Sequence, residues 1–290
     1  MSASLPVPPL PEALIRPAVE AALIEDWGRA GDVTTDATIP MGTQARAAIN
    51  AREPGVAAGV QAAELAFRLV DPNLKIAVRL GDGERMIKGD AILTVTGEAR
   101  SILMGERVAL NFMGRMCGIA SLTRRIADSI AHTKAKIADT RKTTPGLRIF
   151  EKRAVRLGGG ANHRFGLDDA VLIKDNHLVA AGGIRPALER ARAYAGHMLK
   201  IELEVDSLDQ LDEALKIGIA DNILLDNMSP EILREAVRRA DLAARRPLLE
   251  ASGGITPETA PSIAETGVDL LSAGFLTHSV KTLDVGLDFS

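Results

Sequence analysis

From residue 134 onward the chain repeats one arrangement: a short apolar run, a polar residue at its C-terminal end, then a stretch with helical spacing. The runs cover 135–140, 170–176, 199–205, 222–227, 247–253 and 269–274. The helical stretches between them, 186–195, 208–217, 230–243 and 257–266, include starts such as Ser229-Pro230 and Thr256-Pro257 that favour a first helical turn. Strands alternating with helices specify a parallel sheet with crossover helices. An open doubly wound sheet and a barrel both satisfy that pattern.

The polar residues favour the barrel. The runs end at Thr140 with Arg141 and Lys142, at Lys174, Glu204, Asp226, Ser252 and Gly274. In a β/α barrel these ends converge on one face, where such proteins place their sites. Six strands instead of eight make the expected barrel irregular or incomplete. No Gly-rich dinucleotide fingerprint follows any strand, which weighs against a Rossmann arrangement.

The region before it reads differently. A helical pattern over 11–30 closes at Gly31. Short pieces at 45–52, 74–80 and 91–96 then surround one helical run at 61–70, as in a small open-faced α/β sandwich. A long amphipathic helix over 106–131 leads into the barrel. The expected division is therefore 1–112 for the sandwich domain and 113–276 for the barrel. The start, 1–11, is proline-rich and reads as a frayed tail. No apolar run approaches membrane-spanning length.

Charge narrows the function. The 290 residues carry a formal net charge of −3, and aromatics make up 3% of them, which argues against nucleic-acid binding by charge or by base stacking. Yet 141–164 holds seven Lys/Arg against one acid, Glu151, a local +6 that leaves −9 elsewhere. Positive charge gathered locally in an acidic protein suits a small anionic ligand. The single cysteine, Cys117, excludes an internal disulfide and a thiolate metal cluster and fits a cytoplasmic setting. With Trp27 and the methionines, it is expected to pack.

Three constellations carry chemistry. Asp139-Thr140-Arg141-Lys142-Thr143-Thr144-Pro145-Gly146-Leu147-Arg148 puts two cations and several hydroxyls at a strand end, able to bind carboxylate or phosphate, although a solvated basic loop has the same composition. Gly158-Gly159-Gly160-Ala161-Asn162-His163-Arg164 joins a flexible glycine run to two more candidate cations. Lys174 interrupts an apolar strand and so needs an anionic partner. Glu204 and Asp226 end the next two strands. There they could hold Mg²⁺ through water, grip sugar hydroxyls or stabilise developing positive charge, or they could simply pair with Lys174 and Arg141. Glu250-Ala251-Ser252-Gly253-Gly254-Ile255-Thr256-Pro257 and Ser272-Ala273-Gly274-Phe275-Leu276-Thr277-His278-Ser279 read as a phosphate cradle after the last two strands.

In this order, beginning at Gly31-Asp32-Val33-Thr34-Thr35 and including Glu106-Arg107-Val108-Ala109-Leu110-Asn111-Phe112, Lys174-Asp175-Asn176-His177 and Leu225-Asp226-Asn227, the motifs resemble those of the quinolinate phosphoribosyltransferases. The resemblance implies an N-terminal open-faced α/β sandwich joined to an irregular α/β barrel, with the tail 277–290 returning to the first domain. It implies phosphoribosyl transfer from phosphoribosyl pyrophosphate (PRPP) to quinolinate with loss of CO₂, giving nicotinate mononucleotide for NAD synthesis. Arg107, Arg141, His163, Arg164 and Lys174 correspond to the quinolinate end. Thr140, Lys142, Glu204, Asp226, Ser252, Gly253, Gly254, Gly274 and His278 correspond to the PRPP end, and Lys142, Lys174, Glu204 and Asp226 are the implied catalytic set. Mg²⁺ is expected mainly through PRPP and water, with Glu204 and Asp226 nearby. A homodimer, or a larger assembly of dimers, would bring Arg107 from the neighbouring subunit. Two departures stand out: Val108 where Thr is common, and Ala273 and Phe275 around Gly274. The related molybdenum-locus phosphoribosyltransferase-like enzymes share the Arg-Lys-Thr and His-Arg motifs but match 172–177 less well. A non-catalytic phosphosugar-binding barrel would need only the phosphate end.

Overall fold

The computed structural model describes residues 7–290. The stretch read as a frayed tail lies partly outside the described residues, over 1–6. Within them, Leu10 is held by Gln61, whose side chain accepts from its N–H at 3.0 Å and donates to its carbonyl at 2.7 Å.

The chain divides into two compact units. The first comprises the described part of Met1–Arg124 with Thr143–Gly159 and Leu276–Ser290; the second comprises Arg125–Lys142 and Gly160–Phe275. The helix Ala99–Ser129 runs from one into the other. It begins before the expected position 106 because nothing in 99–105 breaks the pattern, and Ile102 continues its buried stripe.

In the first unit the strands are β1 (Gln44–Ala51), β2 (Gly55–Val56), β3 (Lys75–Val78), β4 (Arg85–Met86) and β5 (Ala91–Glu98). Alternation in β1 buries Ala47, Ile49 and Ala51. After the second unit, the chain adds β12 (Val285–Phe289) antiparallel to the free side of β1, in the order β12-β1-β5-β3. The stretch before β12 lies against the helix Ala99–Ser129 so closely that a β-carbon at Gly118 would strike the Lys281 carbonyl.

The second unit holds β6 (Lys136–Ala138), β7 (Val171–Ile173), β8 (Ile201–Val205), β9 (Asn222–Asp226), β10 (Leu248–Ser252) and β11 (Leu270–Ser272). They form one parallel sheet in the order β6-β11-β10-β9-β8-β7, the expected incomplete barrel. β6 and β7 are its two ends, and Ala161 bridges in parallel to Ala138 on the open side of β6. Crossover helices Leu208–Ile217 and Pro230–Asp241 cover the outer face. The second begins at the expected Ser229, whose hydroxyl caps the Ile232 N–H.

Three local readings change. A helix at Arg148–Leu157 belongs to the first unit, so four of the seven cations of the +6 window, Arg148, Lys152, Arg153 and Arg156, are not at the barrel-strand ends. Arg153 instead meets Asp82 at 3.3 Å. The helix after Ser252-Gly253-Gly254 starts at Ala260 instead of 257, because Thr256 and Thr259 first close a hydroxyl-bonded turn. Cys117 is buried as expected, its thiol bonded to the Ala58 N–H and carbonyl and pushed up to about 12 by burial, but Met41 and Met198 are exposed.

Candidate active site at the barrel-strand ends

Register explains how the site is assembled. Parallel pairing sets Leu172 beside Glu202, Glu204 beside Leu224, Ser252 beside Asp226, and Ser272 beside Ser252. Side chains two residues apart share a face. One face of the sheet therefore carries Lys174, Glu204, Asp226, Ser252 and Ser272 at its C-terminal rim. Ile201, Leu203 and Val205, on the opposite face of β8, are buried.

Lys174 finds the anionic partner its position demands: its Nζ is 2.9 Å from Glu204 Oε2. The lysine is half exposed, so the pair stands at the mouth of the site. Asp226 accepts from the Asn227 side-chain amide at 2.8 Å. Asn227 has φ 55°, the one non-glycine left-handed residue among those described. Its backbone N–H donates to the Ser252 carbonyl at 2.8 Å, tying the end of β9 to the Ser252-Gly253-Gly254 loop. Gly253 and Gly254 are also left-handed and exposed. After β6, the Thr140 hydroxyl accepts the Lys142 N–H at 3.0 Å, turning the chain so that Arg141 and Lys142 follow the strand end.

On the other side of β6, Asp139 is completely buried and accepts from Asn162 Nδ2 at 2.6 Å and from the His163 N–H at 2.9 Å. This carboxylate holds the 162–164 segment against the barrel. Arg164 donates to the Ala170 carbonyl at 3.0 Å, and its guanidinium is pulled below the ordinary arginine range by burial and then by the charge of Arg141, with Glu202 and Asp169 opposing. Two arginines close enough to repel are what a dianionic ligand would separate and satisfy.

Two further carboxylates, Glu202 and Glu250, lie outside the strand-end pattern. Both are buried, two residues before Glu204 and Ser252, on the same face one layer deeper. Glu202 Oε2 is 3.0 Å from His163 Nε2, and Glu250 Oε1 is 3.7 Å from it. Burial first, and then the charge of Glu202, push the Glu250 carboxyl up to about 7. An acid interrupting an apolar strand is the signal that picked out Lys174, and it was present here as well.

Arg107 and His278 belong to the first unit. Arg107 is exposed on the helix Ala99–Ser129, and His278 Nδ1 lies 2.5 Å from the Ser279 hydroxyl. Also in that unit, Arg115 donates to Glu151 at 2.5 and 2.8 Å, to the Thr144 hydroxyl at 2.7 Å and to the Thr277 carbonyl at 2.8 Å. The Thr144 N–H donates to the other Glu151 oxygen, so this network fixes the loop after Lys142.

Two family models match the chain: the quinolinate phosphoribosyl transferase N-terminal domain over residues 32–117 and the C-terminal domain over 119–288. The chain is 48% identical over 275 residues to the nicotinate-nucleotide pyrophosphorylase [carboxylating] of Mycobacterium leprae, covering 94% of this chain and 96% of that one. It is 46% identical to the probable enzyme of that name from Bacillus subtilis, covering 91% and 90%. Among solved structures, NadC from Streptococcus pyogenes superposes with a TM-score of 0.91 at 40% identity, covering 97% of this chain and 99% of that one. The nicotinate-nucleotide pyrophosphorylase from Francisella tularensis superposes at 0.92 with 35% identity, covering 99% and 100%.

Proposed function

This chain belongs to the quinolinate phosphoribosyltransferase family, and from that membership we propose how its own residues divide the work of the reaction. The reaction transfers a phosphoribosyl group from PRPP to quinolinate with decarboxylation, yielding nicotinate mononucleotide, pyrophosphate and CO₂ for NAD synthesis. Neither the molybdenum-locus reading nor the binding-only barrel is favoured by these relatives. No described helix is long and apolar enough to cross a membrane.

Quinolinate is a dicarboxylate, and Arg141, His163, Arg164 and Lys174 form its end of the site, completed by Arg107 from the neighbouring subunit of a homodimer. Thr140, Lys142, Ser252, Gly253, Gly254 and Gly274 hold PRPP. The shared rim of Lys174, Glu204, Asp226 and Ser252 is the observation that carries this division. As the ribose–pyrophosphate bond breaks, positive charge develops on the ribose, and Glu204 and Asp226 stabilise it electrostatically. Lys142 balances charge on the departing pyrophosphate. The quinolinate ring nitrogen forms the new bond to ribose. The pyridinium then accepts the electron pair released when CO₂ departs from the adjacent carbon, and a proton replaces the carboxyl, so no protein nucleophile is needed.

The residues present suit Mg²⁺. Glu204 and Asp226 are hard oxygen donors, and each commits one oxygen to a neighbouring side chain, Lys174 or Asn227, leaving the other for a water of the ion's shell. When bound on PRPP, Mg²⁺ supplies neutralisation of the pyrophosphate charge.

The direct test is to incubate purified protein with quinolinate, PRPP and Mg²⁺ and measure nicotinate mononucleotide and CO₂ together. Equimolar formation is expected. Product from nicotinate but not from quinolinate would sink the reading.

A further inference from the structure

The ring of His163 is held at both nitrogens. Nδ1 is 2.8 Å from the backbone N–H of Arg164, which donates to it, so Nδ1 presents a lone pair and carries no proton. Nε2 faces Glu202 Oε2 at 3.0 Å, a donor's distance from a carboxylate oxygen, so the ring's proton is on Nε2. A protonated Nδ1 would set two N–H groups against each other at the Arg164 contact. The charged groups close to His163 include Glu202 from β8 and Glu250 from β10 at the ring, Asp139 after β6 at its backbone N–H, and Arg164 beside it in the chain. Glu250 turns an oxygen toward the same Nε2 at 3.7 Å, and burial first, then the charge of Glu202, push its carboxyl up to about 7.

We propose that His163 serves the quinolinate end as a neutral positioning residue, clamped by Glu202 on one nitrogen and clamping the Arg164 backbone with the other, so that Glu202 and Glu250 act on the substrate only through Arg164. This rests on the division of the site given under Proposed function, and it changes the part His163 plays there. The charge offered to the quinolinate carboxylates comes from Arg164, Arg141 and Lys174. The histidine fixes where Arg164 begins. The clamp is continuous from strand to substrate: Glu202 on β8, the imidazole, the Arg164 N–H, then the guanidinium anchored on the Ala170 carbonyl. Asp139 secures the same segment from the other side through the His163 N–H.

Two measurements test this independently. The first is nitrogen-15 NMR of histidine-labelled full-length protein without substrates, with the His163 signal assigned by its loss in His163→Gln. One pyrrole-type and one pyridine-type ring nitrogen at neutral pH are expected, and two pyrrole-type nitrogens, meaning an imidazolium, would overturn the proposal. This readout does not depend on turnover, so a protein inactive on quinolinate would defeat the functional reading while the tautomer was still decided. The second compares Glu202→Gln with Glu202→Ala in steady-state kinetics. A neutral ring needs only an acceptor, which the Gln amide oxygen provides. Glu202→Ala should raise KM for quinolinate about tenfold, with KM for PRPP within about twofold, and Glu202→Gln should recover most of that loss. Gln and Ala variants equally impaired toward quinolinate would mean that the carboxylate charge pairs with an imidazolium, and the proposal would be wrong. Equal losses toward both substrates would mean that Glu202 is only structural, which also overturns it.

Discussion

The Asn227 side-chain oxygen occupies the place that a β-carbon on Gly253 would need, while the Asn227 backbone N–H reaches across to the carbonyl of Ser252. Gly253 also has φ +87°, a conformation that side chains with a β-carbon rarely adopt. The end of β9 and the loop after β10 are thus shaped against each other, with Asp226 one residue before the contact.

Gly253→Ala should therefore damage the site by two routes, backbone strain and displacement of Asn227, at a combined cost of about 1–3 kcal/mol. The expected result is a rise in KM for PRPP larger than that for quinolinate, with a modest fall in melting temperature. An alanine variant with unchanged PRPP kinetics would show that this loop does not contact the phosphosugar.

Lys174→Met keeps the length of the side chain and removes the charge. Loss of a charge-assisted contact to a substrate carboxylate is expected to cost about 1.5–3 kcal/mol, or about 10- to 100-fold in kcat/KM for quinolinate. Because the half-exposed pair with Glu204 adds little to folding, thermal stability should hardly move. A large drop in melting temperature with intact kinetics would reverse that assignment.

Arg115→Ala strands Glu151, whose side chain is fully buried, without its cation. Breaking such a pair typically costs about 3–5 kcal/mol. The midpoint of urea unfolding should fall with little change in its slope. Thr144 loses its anchor too, so activity at low temperature should also decline. Arg115→Lys should recover only part of both effects, since one ammonium cannot serve Glu151, Thr144 and Thr277 in the planar manner of a guanidinium.

Glu250 gives the fold a pH dependence of defined sign. Its folded pKa, about 7, lies above the ordinary glutamate value, so the folded state holds a proton that the unfolded state has released. This contribution to stability is fully retained below about pH 4 and is lost progressively as pH rises toward 7. Glu250→Gln, which resembles the protonated acid, should flatten that slope and gain on the wild type on the alkaline side by up to about 3 kcal/mol, with no advantage in acid. Denaturant titrations across pH would check it, and parallel curves for the two proteins would count against the assignment.

Arg107→Ala and Lys174→Ala should each be nearly inactive alone. If Arg107 serves the neighbouring subunit, mixed dimers contain one site with neither substitution, and unfolding and refolding the two variants together should restore about a quarter of wild-type activity by random pairing. Failure to restore activity, with subunit exchange verified, would mean that Arg107 acts within its own chain or not at all.

The barrel was legible because its signal is local and repeated: an apolar run, a polar end and a helix start recur, and polar residues at corresponding strand ends lie on one rim by register alone. The Lys174–Glu204 pair followed from the cost of an unpaired lysine in an apolar strand. Glu202 and Glu250 carry the same cost one layer deeper, inside the strands and not at their ends, where the strand-end pattern does not reach. The +6 window misled because net charge over a window ignores direction. Its helix Arg148–Leu157 carries Lys152 and Glu151 into the core of the first unit and leaves Arg141, Lys142 and Arg164 in the second. Asn is among the few side chains that tolerate the left-handed region, but which asparagine adopts it is decided at 227 by packing on a loop some 25 residues further along.

The pairing of β1 with β12 has a consequence for how the molecule is made. Asn50 and Asp288, joined across that pairing, are 238 positions apart, and the whole second unit is synthesised between them. During translation β1 therefore waits on the ribosome with its outer edge unsatisfied, a row of open amides and carbonyls available to any passing strand. β12 closes the edge that β1 leaves open, so a nascent chain needs that edge protected for as long as the second unit is being made.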